Sequence, residues 1–582
     1  MLKDIKNYLK KRKIDFLYLA NTDEFFNEYL AQDQERIKAI TGFSGSNAMV
    51  IFGLTKSYFF TDGRYLLQAQ NQLNSEEYEI IDIAQTSVIS YLKANLGQQK
   101  IEIFSKLCSI NFVSQLEKLN NANIKFLDEI FIDEIWQDRP ASKVSKIMAL
   151  NSQLTGITSL EKRKLIVKDI VGDALLITRS DDLCWLLNIR AKDLEYTPLL
   201  LKYAILYKDL AIDLFIDEKR IKGLNIENIN CIAENCLDLR FKIIRKTVNR
   251  IDVDFSSTNY FIFDLLQKNN FIINNKLSPI QLAKSVKNQA EISGMKKANH
   301  LDGLALSKFI LWFKKIVNKQ VIDELEAQEK LLEFRKENKS FFSESFQAIS
   351  GFASNSAIIH YHAVKGQQKQ ITGNSLYLID SGGQYLGHDF MGTTDITRTL
   401  LVGKANHEMI KHYTLVLKGH LALARVKFPK GLAGINLDSL ARFYLWQFGL
   451  DYQHGTGHGV GAFLGVHEGP CAISSRNNCP LLPNMVLSNE PGFYLANEYG
   501  IRLENLQRVV AIDDNFLGFE TISFAPFEAE LIDFKMLTYP EKKWLANYHQ
   551  AILDNYYPLL DDEFKADLAK ICQPFITNFE GW

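Results

Sequence analysis

Cysteine is scarce in this chain, and it is not arranged for cross-linking. The seven cysteines among 582 residues are scattered and odd in number, and no two form a Cys-x-x-Cys pair. Disulfide frameworks and zinc ribbons depend on cysteines paired at characteristic spacings. The sequence therefore argues against a disulfide-stapled or zinc-ribbon protein and favours a reducing compartment.

An excess of either charge is missing as well. The chain has 67 lysine and arginine residues against 68 aspartate and glutamate residues, so its formal net charge is −1. A general nucleic-acid-binding or membrane-surface role usually needs a basic excess. We therefore expect neither nucleic acid nor a membrane as a partner.

Long apolar runs are also absent. No stretch approaches the roughly 20 apolar residues that a membrane-spanning helix needs. The first 13 residues contain six lysine or arginine residues, which resembles the basic start of a signal peptide, but the apolar run at 16–20 is too short and lacks a cleavage site. We predict a cytoplasmic protein. A length of 582 residues and 47% hydrophobic content indicate several globular domains.

What the sequence does have is a stretch rich in glycine and histidine, residues 454–468 (HGTGHGVGAFLGVHE). It holds three of the 11 histidines and five glycines. Glycine at every second position from 455 to 461 opposes a helix and favours a tight loop or strand end. Imidazole is a common metal ligand and proton shuttle. The stretch predicts a chemical site if carboxylates join it, and otherwise a turn with structural histidines.

Carboxylates occur on both sides of this stretch. Asp380 ends an apolar, strand-like run, and Asp395 follows in Gly-Thr-Thr-Asp. Glu490 lies in Ser-Asn-Glu-Pro-Gly, and Glu504 follows Arg502 by two positions, so these two side chains share a strand face. Each acid alone fits a helix cap or a salt bridge. Together with a histidine, the four acids form an oxygen-rich set that suits two divalent ions, with Mn²⁺ or Zn²⁺ more natural than a thiol-preferring metal.

This array resembles the metal site of the pita-bread metallopeptidases, most closely the three-domain Xaa-Pro aminopeptidases (aminopeptidase P). The five metal-ligand positions of that family fall, in its order, on Asp380, Asp395, His458, Glu490 and Glu504. Its two catalytic or substrate-contacting histidines fall on His360, in Ala-Ile-Ile-His-Tyr, and His467, in Val-His-Glu-Gly-Pro. The motifs are specific because they are several, ordered and chemically linked.

The resemblance implies an enzyme that hydrolyses the bond between an N-terminal residue and a following proline. Two divalent ions, first Mn²⁺ and otherwise Zn²⁺ or Co²⁺, would activate hydroxide. Glu490 would act as the base, His467 would stabilise the oxyanion, and His360 would hold the substrate. Arg36 falls on a position that helps to bind substrate from the neighbouring subunit of a homodimer, and a surface arginine on a helix is the equal alternative. Peptides with proline at the second position are the expected substrates.

The resemblance covers essentially the whole chain and implies a fold of α/β and α+β class. Two related N-terminal α/β domains of the creatinase/prolidase type would precede a pita-bread catalytic domain and a C-terminal extension packed on it. The expected bounds are 1–142, 143–288, 289–517 and 518–582. A predicted hairpin within 203–216 echoes the strands at 48–53 and 57–61, which favours an internal duplication. Amphipathic helices are predicted from residue 287 and over 322–336.

Three rival interpretations and one departure remain open. Creatinase shares the fold but needs no metal, so the full ligand set opposes it. Prolidase shares the ligands and is opposed chiefly by the length and the tail of this chain. A non-catalytic pita-bread binding scaffold is opposed by the intact ligand set. The departure is a lengthened turn at 386–391, whose His388 and Asp389 have no assigned role.

Overall fold

The computed structural model describes residues 1–119, 123–224, 226–317 and 319–580. The chain folds into two compact units. The first unit comprises Met1–Ser152 and Ile157–Ala283, and the second comprises Gln153–Gly156 and Lys284–Trp582. Among the described helices, none is both long and apolar enough to cross a membrane.

The first unit begins with an α/β layer built around a mixed sheet. Within the described residues this sheet has six strands in the order β4-β3-β2-β1-β5-β6. The strands are β1 Phe16–Ala20, β2 Met49–Gly53, β3 Ser57–Thr61, β4 Tyr78–Asp82, β5 Lys100–Phe104 and β6 Asn123–Leu127. Strands β1, β2 and β3 pair antiparallel, whereas β4, β5 and β6 join as parallel neighbours. Aromatic and β-branched side chains fill these strands, as their burial requires.

A second sheet in the same unit repeats this arrangement. Its order in the described part of the chain is β12-β11-β10-β8-β13-β14, with the same pattern of parallel and antiparallel neighbours. The strands, with the short pair β7 and β9, are β7 Met148–Ala149, β8 Ala174–Ile177, β9 Ile189–Arg190, β10 Ala204–Tyr207, β11 Ile212–Phe215, β12 Ile229–Ile232, β13 Arg250–Val253 and β14 Ile272–Asn275. The matching topology confirms the predicted internal duplication.

Amphipathic helices accompany these sheets. The helix at the N-terminus buries Ile5 and Leu9 on one face, as its sequence spacing predicts. The helices up to residue 285, of which α7 belongs almost entirely to the second unit, are α1 Leu2–Arg12, α2 Arg36–Thr41, α3 Leu66–Gln72, α4 Val88–Asn95, α5 Ile110–Leu116, α6 Ile132–Ile135, α7 Ser152–Thr155, α8 Ser159–Ile166, α9 Ser180–Leu187, α10 Glu218–Ile221, α11 Leu237–Ile244, α12 Tyr260–Lys268 and α13 Pro279–Ser285.

Long helices dominate the second unit. They are α14 Gln289–Ile316, α15 Glu324–Lys336, α16 His407–Arg425, α17 Ile435–Trp446, α18 Tyr539–Tyr556 and α19 Asp562–Glu580. A capping box between Asn288 and Glu291 starts α14, which agrees with the predicted start. The predicted second helix is shorter than expected, because residues 322 and 323 form a strand and Asp323 caps α15.

Short, mostly antiparallel strands surround the predicted ligands in the second unit. They are β15 Ile322–Asp323, β16 Phe341–Glu344, β17 Ile349–Phe352, β18 Gln370–Ile371, β19 Ser375–Ser381, β20 Gly383–Leu386, β21 Met391–Thr393, β22 Ile396–Val402, β23 Phe428–Pro429, β24 Gly457–Gly459, β25 Glu468–Ile473, β26 Val486–Asn489, β27 Gly492–Leu495, β28 Tyr499–Arg502, β29 Asn505–Ala511 and β30 Phe516–Thr521. A sheet of order β17-β19-β22 and another of order β23-β30-β29-β26-β24-β25 carry most of them.

The lengthened turn forms the tip of a hairpin made by β20 and β21. Tyr385 pairs with Gly392, and β19 still pairs with β22 in continuous antiparallel register. His388 and Asp389 are exposed at the tip, and Asp389 forms an ion pair with Lys297 of α14 at 2.9 Å. The extra residues therefore lengthen the hairpin and leave the strands beside it in register.

The C-terminal helices share a hydrophobic core with α16. Leu545 and Ile552 of α18 and Leu568 of α19 lie in one buried cluster with Leu417 and Leu421 of α16. Burying such aliphatic side chains is the main stabilising contribution that a core makes. The tail of the chain is thus part of the core of the second unit.

Candidate metal centre

Neighbouring strands bring the five predicted ligands together. Asp380 lies in β19, and Asp395 immediately precedes β22, the antiparallel partner of β19. Glu490 immediately follows β26, and Glu504 immediately precedes β29, which pairs with β26. His458 lies in β24, the other neighbour of β26. Residues separated by more than 120 positions therefore meet at the ends of paired strands.

The ligand atoms form a tight group around the imidazole of His458. Its Nε2 atom lies 3.3 Å from Oδ2 of Asp395 and 3.6 Å from Oε1 of Glu490. One ligand atom each from Asp395, His458 and Glu504 lie within 4.8 Å of one another. The Nδ1 atom of His458 lies 3.0 Å from the Gly459 carbonyl oxygen, which can only accept, so this nitrogen donates and Nε2 faces the carboxylates.

Two carboxylates have one satisfied oxygen and one unsatisfied oxygen each. Arg502 Nη2 donates to Oδ2 of Asp380 at 2.6 Å, and the Thr397 hydroxyl donates to Oε2 of Glu504 at 2.7 Å. Oδ1 of Asp380 and Oε1 of Glu504 are buried and have no hydrogen-bond partner among the described residues. Buried carboxylate oxygens without a partner are costly. A divalent cation at this position would satisfy both, so these residues fit a metal.

The pKa shifts within the group also favour a bound cation. Burial raises the pKa of Glu504 well above its usual value, and the neighbouring carboxylates raise it further. Burial also raises the pKa of Asp380 and of Glu490. Burial lowers the pKa of His458, but Asp395 and Glu490 outweigh it and raise that pKa to about 9. The centre concentrates negative charge that a cation would compensate.

The group has a deep side and an exposed side. The side chain of Asp395 is 5% exposed, whereas those of His458 and Glu490 are 19% and 17% exposed. Ser488 connects the two outer residues, because its hydroxyl accepts from the His458 backbone N–H at 2.9 Å and donates to Oε1 of Glu490 at 3.3 Å. Solvent therefore reaches the centre from the side of His458 and Glu490.

The structure adds residues to which the sequence had given no role. Arg502 Nη1 donates to the Tyr494 hydroxyl at 2.7 Å, and that oxygen lies 2.9 Å from Nε2 of His454. Thr397 could have been found, because it lies two residues after Asp395 and so shares its strand face. Tyr494 had no comparable signal, since nothing in the local pattern separates it from a core tyrosine.

The two predicted catalytic histidines lie in different surroundings. The ring of His467 meets that of His458 edge to face, with centroids 4.3 Å apart, so His467 borders the predicted ligand group. His360 is half-buried and follows a 3-10 turn, Ala353–Ala357. That turn is attached to β28, since the Gly500 N–H donates to the Ser356 hydroxyl at 2.8 Å.

Arg36 lies in the first unit, at the start of α2. It is 3% exposed and donates to the two oxygens of Asp133 at 2.6 and 2.9 Å. The alternative of a surface helix arginine is therefore wrong, because this guanidinium is buried in a bidentate ion pair. Its predicted role in binding substrate stays a prediction.

Four family models match successive parts of the chain. The model for metallopeptidase family M24 matches residues 293–511, and that for the C-terminal region of this peptidase family matches 515–575. Two models described as creatinase/prolidase N-terminal domain match 1–133 and 138–291. Together they span nearly the whole chain.

Individual proteins are similar over the same length. A protein of Laccaria bicolor named probable Xaa-Pro aminopeptidase P is 34% identical, covering 98% of this chain and 93% of its own. The crystal structure of X-prolyl aminopeptidase from Caenorhabditis elegans, described as a cytosolic enzyme with a di-nuclear active site, is 33% identical with a TM-score of 0.90, covering 96% of this chain and 95% of its own. Prolidase from Pyrococcus horikoshii is 25% identical with a TM-score of 0.51, covering 64% of this chain and 99% of its own.

These similarities agree with the arrangement of sheets and helices in the structure. Two related α/β sheets precede a domain of helices and antiparallel strands that carries the ligand group. The predicted fold class, two N-terminal α/β domains followed by a pita-bread domain, is confirmed.

Proposed function

The chain belongs to metallopeptidase family M24, with Xaa-Pro aminopeptidase P proteins as full-length relatives, and from that premise we propose that it removes an N-terminal residue that precedes proline. The single observation that carries the proposal is the buried ligand group, in which Asp380 and Glu504 each leave one oxygen unsatisfied among the described residues. A catalytic cation is the simplest explanation of that pattern.

We propose two divalent ions for this centre. Their ligands would be Asp380, Asp395, His458, Glu490 and Glu504. Mn²⁺ is our first choice and Zn²⁺ or Co²⁺ the alternatives, because the set is dominated by oxygen and contains no thiolate. When bound, such ions lower the pKa of a water molecule enough to supply hydroxide near neutral pH and polarise the substrate carbonyl.

The surrounding side chains have the remaining roles in catalysis, substrate binding and positioning of the ligands. Glu490, on the exposed side of the group, accepts the proton of the attacking water. His467, whose ring contacts that of His458, donates to the oxygen of the attacked carbonyl as negative charge develops on it. His360 holds the substrate near the proline nitrogen. Arg502 and Thr397 keep the carboxylates of Asp380 and Glu504 in place.

Proline at the second position has a chemical motive. An imide nitrogen has no N–H, so a peptidase that needs that donor cannot use such a substrate. The test compares kcat/KM for Arg-Pro-Pro, Arg-Pro and Arg-Ala-Pro with Mn²⁺ present. We expect Arg-Pro-Pro to be cleaved fastest, Arg-Pro more slowly and Arg-Ala-Pro hardly at all.

The alternatives predict other orders. Fastest cleavage of Arg-Pro would turn the assignment to prolidase, and fastest cleavage of Arg-Ala-Pro would remove the proline specificity. The prolidase similarity covers 64% of this chain, whereas the aminopeptidase similarity covers 96%. A non-catalytic scaffold would cleave none of the three peptides.

We also propose a homodimer in the cytoplasm. Three exposed aromatic side chains lie at the C-terminal end of α17: Phe443 and Trp446 in its last turn and Phe448 just after it are 51%, 47% and 49% exposed. Exposed aromatic side chains are typical of the centre of protein interfaces. A mass of two chains in solution supports the dimer and a mass of one opposes it. Free cysteines and the cytosolic relative from Caenorhabditis elegans support the compartment.

A further inference from the structure

Arg398 is a fully buried arginine beside the ligand group. It lies in β22, three positions after Asp395, and its relative exposure is 0%. Side chains alternate along a strand, so Thr397 and Arg398 point to opposite faces of β22. Thr397 reaches Glu504 from the face of the ligand group. Arg398 therefore extends away from that group, on the other face of the strand.

From that other face, Arg398 holds the main chain at Glu504. Its Nη1 atom donates to the Glu504 carbonyl oxygen at 2.7 Å and to the Thr397 carbonyl oxygen at 2.8 Å. Its Nη2 atom donates to Oδ1 of Asn505 at 2.9 Å. Two consecutive residues of β22 thus bind Glu504 at both ends, Thr397 at the carboxylate and Arg398 at the carbonyl.

The same guanidinium binds the C-terminal part of the chain. Nε lies 3.2 Å from the carbonyl oxygens of both Ala525 and Pro526, and Nη2 lies 2.8 Å from that of Ala525. Nη2 also donates to the Tyr548 hydroxyl of α18 at 2.8 Å. The Tyr548 oxygen in turn lies 3.1 Å from Oδ1 of Asn505. The tail and the Glu504 segment therefore both bind the guanidinium of Arg398, and the contact between Tyr548 and Asn505 links them a second time.

The charge of Arg398 makes this arrangement intolerant of displacement. Among the described residues no carboxylate forms an ion pair with it, all its hydrogen-bond partners are neutral oxygens, and the Phe527 ring centroid lies 4.3 Å from its Cζ. A buried cation is expensive unless its N–H groups are satisfied with good geometry. If Ala525 or Tyr548 moved, part of the guanidinium would lose its partners, so the tail position and the Glu504 position are coupled.

We propose that Arg398 is a positioning residue for Glu504, and that Tyr548 and the carbonyl of Ala525 make the C-terminal tail part of the metal centre's support. The proposal rests on the proposed function, because it takes Glu504 as a metal ligand. Tyr556 offers a matched control. It lies in the same helix, is fully buried, and its hydroxyl donates to the Phe524 carbonyl at 3.2 Å rather than contacting Arg398.

The test uses the full-length protein after chelation, titrated with Co²⁺ and followed by visible absorption. We expect Tyr548→Phe to raise the Co²⁺ Kd about tenfold, and Arg398→Lys to raise it by up to about 100-fold, the range for lost support of a metal ligand. Both should alter the Co²⁺ spectrum, whereas Tyr556→Phe should leave the Kd and spectrum unchanged. Thermal unfolding of each variant identifies those that fold. If Arg398→Lys does not fold, Tyr548→Phe alone tests the proposal.

The outcomes separate this inference from the proposed function. A wild-type Kd and spectrum in folded Tyr548→Phe would overturn the inference while the wild-type protein still binds Co²⁺ and cleaves Arg-Pro-Pro. Equal weakening in Tyr556→Phe would also overturn it, since general loosening would then explain the effect. If the wild-type protein binds no Co²⁺, the proposed function and the inference both fail.

Discussion

Two buried acidic sites, one in each compact unit, differ in how fully their oxygens are satisfied. In the first unit, Asp213 is fully buried and accepts hydrogen bonds from Tyr207, Asn230 and two nitrogens of Arg240. In the second unit, Asp380 and Glu504 each leave one buried oxygen without a partner among the described residues. A satisfied buried acid is explained by folding alone. A group of buried acids with unsatisfied oxygens requires a further ligand. The contrast therefore indicates where the proposed active site lies.

Histidine shows the same division. All 11 histidines of the chain lie at residue 300 or later, within the second unit. Histidine is the side chain whose ordinary pKa suits proton transfer near neutral pH. The first unit has charge and hydrogen bonding but no imidazole, so proton-transfer chemistry that depends on histidine belongs to the second.

The largest expected effect comes from the exposed side of the ligand group. Glu490→Gln removes a ligand charge and the proposed base together, so we expect kcat to fall by roughly 10³- to 10⁴-fold. Steady-state kinetics with Arg-Pro-Pro and Mn²⁺ measure this. Asp213→Asn, in the first unit, is the matched control and should leave kcat near that of the wild type. Near-normal turnover in Glu490→Gln would remove the base assignment.

His467→Ala should separate metal binding from chemistry. The variant keeps all five ligands, so it should bind the same amount of metal as the wild type. Its kcat should fall by roughly 10²- to 10³-fold, as happens when one oxyanion donor is lost. Elemental analysis and kinetics on the same preparation provide both numbers. Unchanged turnover would show that His467 does not act on the substrate.

The contrast between buried acids predicts opposite effects on stability. Asp213→Asn leaves Arg240 without its carboxylate; because the Arg240 side chain is 23% exposed, the loss should fall below the value for a fully buried pair, at roughly 2–3 kcal/mol of the free energy of unfolding. Glu504→Gln removes one of four clustered carboxylates, so in chelated protein it should be neutral or stabilise by about 1 kcal/mol. Urea unfolding of chelated protein tests the pair. A Glu504→Gln variant as unstable as Asp213→Asn would contradict the contrast.

The division of histidines predicts a pH effect confined to the second unit. Burial lowers the pKa of His549 to about 3; its ring stacks on Phe575, and Nε2 accepts from the Phe527 N–H at 3.3 Å. The unfolded chain has the ordinary value near 6.5. Below that pH only the unfolded state gains the proton, so stability falls by roughly 1.4 kcal/mol per pH unit down to about pH 3.

Hydrogen exchange at pH 7 and pH 5 can follow this effect in separate peptides. The protection of backbone amides in α18 should decrease when the pH is lowered from 7 to 5, because of His549. In His549→Gln this decrease should be smaller. Strands β8 and β10 of the first unit, which has no histidine, lack this contribution. Equal slopes for α18 in the wild type and in His549→Gln would contradict the assignment.

Local patterns predicted much of the fold. The strand at 57–61 matches its observed bounds, and the helix from 287 begins at Gln289. Both elements can be recognised from the periodicity of their apolar side chains, because each is long enough to show a repeat. The two-residue strand β15 was missed because so short a run has no period to detect. The ligand group followed from spacing and resemblance, and the strands gather all five residues.

The support around the ligands could not be read from the sequence. Arg398 meets Ala525 and Tyr548 across 127 and 150 positions. No local pattern distinguishes this arginine from one in an ordinary surface strand, because its partners are mostly backbone carbonyls. Likewise, Asp380 and Glu504 were predicted as ligands, but the oxygen that each leaves unsatisfied depends on contacts with Arg502 and Thr397 that only the folded chain defines.

Metal content and activity measured on one preparation test the central claim most directly. We predict about two divalent ions per chain by elemental analysis, loss of Arg-Pro-Pro cleavage after chelation, and the best recovery with Mn²⁺. Full activity after exhaustive dialysis against chelator, with no residual metal, would contradict the account.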